Sequence, residues 1–253
     1  MRSGRATGER VFTSEGGFNP TWQRHVAAYA LAEPHLPAGR IADLGSGVGH
    51  SYDLLAGRET VGIDVDPEAL AGQERETVVA DMRRLPLADD SFDGALAIHS
   101  VEHVPDPERA VAEAARIIRP GGVAVLVTPN RLTFARPDEI IDPYHYVELD
   151  PRQAERLCRP WFESVEVRGI FGSPRYLELV ADQRARLNRL LRLDPMRLRR
   201  LVPRRGRQRL YDLLLARARR DPDPRAAVIR VADFDLREEE LDDCLDVVVI
   251  CRR

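Results

Sequence analysis

The chain of 253 residues contains no lysine, and all 38 of its basic residues are arginine. Without a lysine amine, the protein cannot form a Schiff base with pyridoxal phosphate or with a carbonyl substrate. A phosphate-binding loop ending in Gly-Lys-Ser or Gly-Lys-Thr, and a dehydrogenase built on a Tyr-x-x-x-Lys pair, are excluded for the same reason. Coding bias in a G+C-rich genome is a sufficient explanation for the absence, which still narrows the available chemistry.

Long apolar runs and a cysteine framework are missing as well. No run approaches the roughly 20 apolar residues that a membrane-spanning helix needs, and residues 1–10 are polar, with no hydrophobic signal core. Three scattered cysteines, Cys158, Cys244 and Cys251, form neither a disulfide framework nor a CxxC metal pair. We therefore expect a cytoplasmic protein without a metal site.

Short apolar runs alternate with helical segments in the first half of the chain. The predicted strands are 40–44, 60–64, 77–80, 93–98 and 123–128, and the helices between them lie near 50–55, 67–72 and 107–118. This alternation predicts an α/β fold with a doubly wound, Rossmann-like sheet. A helix at 151–158 and strands at 164–169 and 246–251 complete a sheet of seven strands, the last two closing an antiparallel edge.

Changes in composition divide the chain into four predicted segments. These are an N-terminal helical lid (1–36), a cofactor-binding core (37–172), an arginine-rich helical insertion before the last strand (173–232) and a C-terminal strand completing the sheet (233–253). The lid hypothesis concerns Glu9, Arg10 and the helix that carries Trp22, His25 and Tyr29. A helix that only packs against the core is the equal alternative.

A glycine-rich turn after the first strand is the sharpest motif. Gly45, Gly47 and Gly49 stand in the pattern G-x-G-x-G, and glycines there let a ligand approach the main chain closely. Asp64 and Asp81 end the next two strands, at the sheet edge where open parallel sheets bind ligands. Asp64 suits the two ribose hydroxyls of an adenosine, and Asp81 suits its amino group.

Asp43 helps to distinguish between two candidate cofactors that contain adenosine. The dinucleotide fingerprint G-x-G-x-x-G places pyrophosphate at a helix N-terminus, but His50 occupies the position of its last glycine. The carboxylate of Asp43 would repel pyrophosphate, whereas it could contact the ammonium group of a methionine moiety directly or through water. The charge favours S-adenosylmethionine over NAD.

Residues 40–130 together resemble the class I methyltransferases that use S-adenosylmethionine, in particular the small-molecule enzymes of the ubiquinone-biosynthesis type. The matching segments are 41–49, 61–64, 80–82 with 85–86, 89–93, 100–104, 118–122 and 128–130. The resemblance implies a cofactor site on the first four strand ends. Its residues would be Asp43, Gly45, Ser46, Gly47 and Gly49 for methionine, Asp64 and Val65 for ribose, Asp81 and Met82 beside adenine, and His99 closing the cleft.

The segment from His99 to His103 also matches H-x-x-E-H, an inverted zinc-protease signature. That chemistry needs both histidines on one face of a continuous helix. Here the motif follows a strand directly, and Pro105 and Pro107 end any helix within a few residues. We therefore interpret it as a loop that faces the transferable methyl group.

Three residues are candidates for the chemistry of methyl transfer. A hydroxyl acceptor benefits from a base that removes its proton, and histidine is suited to this near neutral pH. His145 is the first candidate base and His103 the second, with Glu102 on the same loop as His103. The segment around His145 resembles the acceptor loop of the same enzyme group, and a structural role for each histidine is the alternative.

The arginine-rich stretch from 175 to 225 contains sixteen arginines and six acidic residues, a net charge of +10 in a chain of net charge −3. It could cap an anionic substrate, contact a membrane surface, bind nucleic acid or pair with the acidic remainder of the chain. Nucleic acid is disfavoured because only Tyr176 and Tyr211 are available for base stacking. We expect methyl transfer to an oxygen of a small-molecule or lipid-linked acceptor. The alternatives are an RNA methyltransferase and a non-catalytic cofactor-binding module.

Overall fold

One mixed sheet of eight strands organises the computed structural model, which describes residues 19–134, 139–192, 194, 197–218 and 223–253. The strands are β1 (Arg40–Leu44), β2 (Glu59–Asp64), β3 (Glu76–Val79), β4 (Phe92–Ile98), β5 (Ile118–Pro129), β6 (Ser164–Gly172), β7 (Phe234–Arg237) and β8 (Asp246–Arg252). Their order is β3-β2-β1-β4-β5-β8-β6-β7, with β1 to β5 all parallel. The prediction of an α/β fold with a mostly parallel sheet is confirmed.

The predicted count of seven strands is wrong by one. β7 pairs with β6 in antiparallel register at the sheet edge. The sequence analysis predicted no separate strand here, only the C-terminal strand within 233–253. Its four residues, Phe-Asp-Leu-Arg, are too few for a clear period-2 signal. β8 lies between β5 and β6 and is antiparallel to both of them.

Seven helices are present among the described residues, and four of them cover the two faces of the sheet. They are α1 (Asn19–Ala32), α2 (Pro67–Leu70), α3 (Pro107–Ile117), α4 (Arg131–Phe134), α5 (Pro151–Cys158), α6 (Pro174–Leu191) and α7 (Arg204–Ala218). Helices α3 and α5 pack on one face, and α1 and α6 pack on the other. This double cover buries both sides of the central strands, which explains their continuous apolar runs. No helix in the described part of the chain has the length and apolarity needed to cross a bilayer.

Local signals explain why α5 begins where the sequence predicts. The Asp150 carboxylate accepts from the Gln153 backbone N–H at 2.7 Å, and the Gln153 side chain accepts from the Asp150 N–H at 3.0 Å. Pro151 occupies the first helical position, where its missing N–H costs nothing. The helix predicted near 50–55 is instead a single 3₁₀ turn, Tyr52–Leu55. Gly49 and Gly57, on either side of it, have φ of +68° and +83°, which a helix cannot continue through.

Candidate active site

The glycine loop after β1 is held close to the carboxyl end of β2. The N–H groups of Gly45 and Ser46 both donate to the Ile63 carbonyl, at 2.8 and 2.9 Å. Gly45 has φ of +71°, and a Cβ on it would collide with the Ser100 side chain at the end of β4. Only glycine fits at this position, because the loop must lie against two neighbouring strand ends.

A cleft of about 320 Å³ opens at the carboxyl ends of β1 to β4, a size within the usual range of small-ligand sites. Every predicted cofactor residue except Asp43 and Gly49 lines it. Those residues are Gly45, Ser46, Gly47, Asp64, Val65, Asp81, Met82 and His99. The wall also includes His25, Tyr29, His50, His103 and Tyr146. The sheet thus brings together residues that are far apart in sequence.

Two carboxylates stand at the β2 and β3 edge of the cleft. Asp64 accepts from the Gly47 and Asp66 backbone N–H groups, each at 2.9 Å, which fixes its side chain relative to the glycine loop. Hydrogen bonding and charge from the Arg83 guanidinium lower the pKa of Asp81. Asp81 is therefore an anionic acceptor at neutral pH. Val65, 69% exposed beside Asp64, offers an apolar surface to a flat ring.

Asp43 lies behind the loop rather than on the cleft wall. Its carboxylate is buried, accepting from the Tyr29 hydroxyl at 3.0 Å and from the Arg75 guanidinium at 2.7 Å. Both oxygens thus have protein partners, and Asp43 joins α1 to the strand edge. Its contact with a methionine ammonium, directly or through water, stays a prediction.

Helix α1, for which the sequence offered a lid over the cofactor or a packing helix, provides an aromatic wall of the cleft. The His25 ring lies 4.4 Å from the His99 ring, and the Trp22 ring 4.3 Å from the His50 ring, centroid to centroid. Burial, with the neighbouring His99, holds the pKa of His25 well below its usual value, and burial also lowers the pKa of His50. The spacing of His25 and Tyr29, i and i+4 on one helix face, was the available signal.

Residues 1–18, which include Glu9 and Arg10 of the predicted lid, lie outside the described part of the chain. Within α1, His25 and Tyr29 line the cleft, while Ala27, Ala28 and Ala32 are buried in the core. The helix therefore packs on the sheet and forms a wall of the cleft at the same time. Its opening as a lid stays a prediction.

Glu102 is the buried centre of the acceptor side of the cleft. It is 1% exposed, and its carboxylate accepts from the Thr128 hydroxyl at 3.1 Å. Burial alone would raise the pKa of Glu102, but the His99, His103 and His145 imidazoles lower it to about 2. Its backbone carbonyl accepts from the Tyr146 N–H at 2.8 Å, which joins the β4 loop to the segment carrying His145. Glu102 can therefore orient imidazoles but is too deeply buried to touch a substrate.

The two candidate bases are adjacent, with ring centroids 5.0 Å apart. His103 lines the cleft, whereas His145 lies behind it and pairs through Nδ1 with the Glu148 carboxylate at 3.0 Å. Burial would lower the pKa of His145, but the Glu148 carboxylate, with Glu102 and Asp142, raises it. His145 therefore binds a proton more readily than an ordinary histidine does, and His103 is the imidazole with access to a ligand.

The same three side chains could hold a metal ion. Glu102, His103 and His145 each offer a ligand atom, and these atoms lie within 4.8 Å of one another. The set differs from the H-x-x-E-H motif, because the segment Val101–His103 is a 3₁₀ turn and not a continuous helix. Two imidazoles and a carboxylate also form a proton-transfer group without any metal.

Comparisons with known proteins agree with this geometry. A family model described as a methyltransferase domain matches residues 42–126. A Mycolicibacterium smegmatis protein named as a probable S-adenosylmethionine-dependent methyltransferase is 31% identical over 265 residues, covering 98% of this chain and 94% of the relative. The phosphatidylethanolamine N-methyltransferase of Cereibacter sphaeroides is 36% identical over 126 residues, covering 45% of this chain and 60% of that protein.

A crystal structure from Thermotoga maritima shares the fold. It is described as an S-adenosylmethionine-dependent methyltransferase, a possible histamine N-methyltransferase, and covers 93% of this chain and 91% of its own at a TM-score of 0.62 and 18% identity. The relationship to the M. smegmatis protein extends along nearly the whole chain. The chain therefore belongs to the class I methyltransferases, enzymes that take their methyl group from S-adenosylmethionine.

Proposed function

We propose that the protein transfers the methyl group of S-adenosylmethionine to an oxygen of a small metabolite, a sugar or a lipid-linked acceptor. The observation that carries the proposal is the imidazole pair His103 and His145 beside the buried Glu102, with His103 on the cleft wall. A hydroxyl must lose its proton as it is methylated, and this pair provides a base at that position.

The cofactor residues have distinct proposed roles along the cleft. Gly45, Ser46 and Gly47, with Gly49 bracing the turn, hold the methionine moiety through the main chain. The Asp64 carboxylate accepts from the ribose hydroxyls, with Val65 beside the ring. Asp81 and Met82 border adenine, and His99 closes the cleft. Asp43 acts from behind, because it fixes Tyr29 and Arg75 around the loop.

The cofactor supplies an activated sulfonium, so the chain mainly has to align the acceptor and exclude water. We place His103 before His145 as the base, because His103 reaches the cleft. The Glu102 carboxylate then stabilises the imidazolium that forms when His103 accepts the proton, and the neighbouring His145 ring positions His103. The neutral rings of His25 and His50 form the wall opposite, without positive charge that would repel the sulfonium.

The test separates catalysis from cofactor binding. In His103→Ala we expect turnover to fall by about 10²- to 10⁴-fold, while S-adenosylhomocysteine binds by calorimetry as in the wild type. His145→Ala should lose less turnover, because His145 acts through His103. His35→Ala, in the 3₁₀ turn after α1 and outside the cleft, is the matched control. Unchanged turnover in both His103→Ala and His145→Ala would contradict the base assignment.

A nitrogen acceptor is the second candidate, favoured by the Cereibacter sphaeroides relative, whose name states methylation of the nitrogen of phosphatidylethanolamine. Acceptors should be screened in pairs that differ only in a hydroxyl and an amine, such as phosphatidylethylene glycol with phosphatidylethanolamine. An isotopically labelled methyl group then identifies the atom, because O-methyl and N-methyl products differ in NMR chemical shift. Label found only on nitrogen would replace the oxygen proposal.

A further inference from the structure

An exposed apolar surface lies on α7 and on the turn before it. Its residues, here called the leucine face, are Leu198, Leu201, Val202, Leu210, Leu213 and Leu214. Leu201 and Leu213 are 81% and 66% exposed. Large side chains grouped in this way on a surface mark an interaction site.

Helical spacing makes the leucine face continuous. Leu210, Leu213 and Leu214 stand at i, i+3 and i+4, so they project from one side of α7. Gly206 lies one turn before Leu210 on the same side, and a Cβ on it would come within 2.9 Å of the Val202 side chain. Val202 therefore packs against the first turn of α7 and extends the stripe toward Leu201.

The opposite side of α7 is already occupied, which fixes the direction of the leucine face. Arg204 donates to the Pro143 and Tyr144 carbonyls, each at 2.8 Å, and Tyr211 donates to the Asp142 carboxylate at 3.0 Å. These contacts hold the polar side of α7 on the segment that carries His145. The leucine face consequently points away from the body of the protein.

Arginines flank the leucine face. Arg205 and Arg209 are exposed and border the stripe on the same helix, within the stretch of net charge +10. Leucines inserted at the level of the lipid headgroups, with arginines beside them, are the pattern of a helix that lies on an anionic membrane surface. The arginine stems can also cover apolar surface while their charged ends reach phosphates.

We propose that the leucine face and its flanking arginines bind the surface of an anionic lipid bilayer. RNA fits less well, because Tyr176 is buried and Tyr211 is bonded to Asp142, so neither offers a free ring for stacking. A second copy of the chain also fits less well. A symmetric contact between two such faces would bring the arginines of one against those of the other.

Membrane binding through this surface would bring lipid next to the acceptor side of the cleft. The Arg204 guanidinium lies 3.4 Å from the centre of the Tyr146 ring, and Tyr146 lines the cleft. Only the α7 helix would then lie between the bilayer and the acceptor side of the cleft. The inference goes beyond the proposed methyl transfer, because vesicle binding can be measured without cofactor or acceptor.

The test is co-sedimentation of the full chain with vesicles of phosphatidylcholine alone, or of phosphatidylcholine mixed with phosphatidylglycerol. We expect the wild type to bind the anionic vesicles at least about tenfold more tightly, with a strong salt dependence. Leu210→Ser/Leu213→Ser should lose at least about tenfold of that affinity. The control, Leu132→Ser/Leu177→Ser, changes leucines of similar exposure outside the leucine face and should bind as the wild type does.

A second variant, Arg205→Gln/Arg209→Gln, should bind more weakly and with a shallower salt dependence. Thermal melting establishes that each variant is folded. The proposal is overturned if the wild type does not bind anionic vesicles, or if the serine variant binds them as tightly as its control. It is also overturned if gel filtration shows that the serine variant abolishes a dimer, or if single-stranded RNA displaces the vesicles.

Discussion

Both walls of the cleft carry imidazoles, but the two walls control their protonation in opposite ways. On the cofactor side, burial lowers the pKa of His25 and His50, which face aromatic rings. On the acceptor side, carboxylates raise the pKa of His145 despite its burial. The same residue type therefore supplies neutral surface on one wall and proton-binding groups on the other.

This difference matches the chemistry that each wall would serve. A sulfonium is stabilised by neutral polarisable rings and destabilised by a nearby imidazolium. An acceptor hydroxyl needs a base whose charged form is stabilised once it takes the proton. We therefore expect changes in the first wall to affect cofactor affinity and changes in the second wall to affect turnover.

The largest expected effect on the cofactor side is that of Asp64→Ala. Hydrogen bonds to a carboxylate contribute about 1.5–3 kcal/mol each, so loss of two ribose contacts should weaken S-adenosylhomocysteine binding by roughly 100-fold or more. Calorimetric titration measures this change. Turnover at saturating cofactor should fall far less than in His103→Ala.

Asp66→Ala is the matched control, because the Asp66 carboxylate caps α2 and lies outside the cleft wall. It should bind the ligand within about twofold of the wild type, because the backbone N–H that donates to Asp64 is retained. Equal losses in the two variants would show that the turn is damaged as a whole. If Asp64→Ala changed only turnover and not ligand affinity, the assignment of cofactor binding to this wall would be wrong.

The next largest expected effect is that of Tyr29→Phe on stability, which tests how α1 is attached to the cofactor wall. The Tyr29 hydroxyl donates to the buried Asp43 carboxylate, so its loss should cost about 1–2 kcal/mol of unfolding free energy. Tyr211→Phe removes a hydrogen bond to Asp142 on a half-buried surface and should cost less than about 1 kcal/mol. Urea unfolding compares the two variants. Equal losses would mean that Asp43 is not a critical acceptor.

The two walls also differ in how far sequence alone predicts them. The glycine loop, Asp64 and Asp81 depend on strand ends, and parallel strands place such ends at one edge of a sheet. Their motifs therefore predicted residues that meet at the cleft, including Val65 and Met82. Asp43 and Gly49 do not line it. The neighbours of Asp43, Tyr29 and Arg75, come from elements whose packing no local pattern reveals.

The lid hypothesis placed α1 near the cofactor, but the contacts of its aromatic wall could not be predicted for the same physical reason. His25 belongs to α1, and its contact with His99 arises only when the helix packs across the sheet. The sequence predicted that His103 and His145 lie on loops at the same edge of the sheet. It did not predict that His103 lines the cleft while His145 lies behind it. That order depends on the hydrogen bond from the Tyr146 N–H to the Glu102 carbonyl, a contact between loops.

The pH dependence of stability should have opposite signs for the two walls. In the folded protein the pKa of His25, which faces Arg24, His50 and His99, lies below its unfolded value of about 6.5. The unfolded state therefore binds this proton first, so the His25 contribution to the free energy of unfolding decreases as pH falls below about 6.5. The variant His25→Gln should lessen that decrease. The pKa of His145 is raised, so its contribution is present below about 6.5 and lost as pH rises through the folded value.

Melting temperatures of His25→Gln and His145→Gln between pH 5 and 8 check these signs. Relative to the wild type, His25→Gln should gain stability toward acid, and His145→Gln should lose it. Parallel curves for both variants would show that the walls do not differ in protonation.

The smallest expected effect is that of a chelator on turnover. The Glu102 carboxylate already has the Thr128 hydroxyl as a donor, and the imidazoles around it lower its pKa to about 2, so the cluster is stable without an ion. We expect extensive dialysis against a chelator to leave turnover unchanged. Added zinc should inhibit, because it would occupy the imidazole nitrogens that His103 and His145 need for proton transfer. Loss of turnover on dialysis, restored by one divalent metal, would make the acceptor wall a metal centre. A metal there would ease deprotonation of the acceptor hydroxyl, and His103 would then be a ligand and not the base.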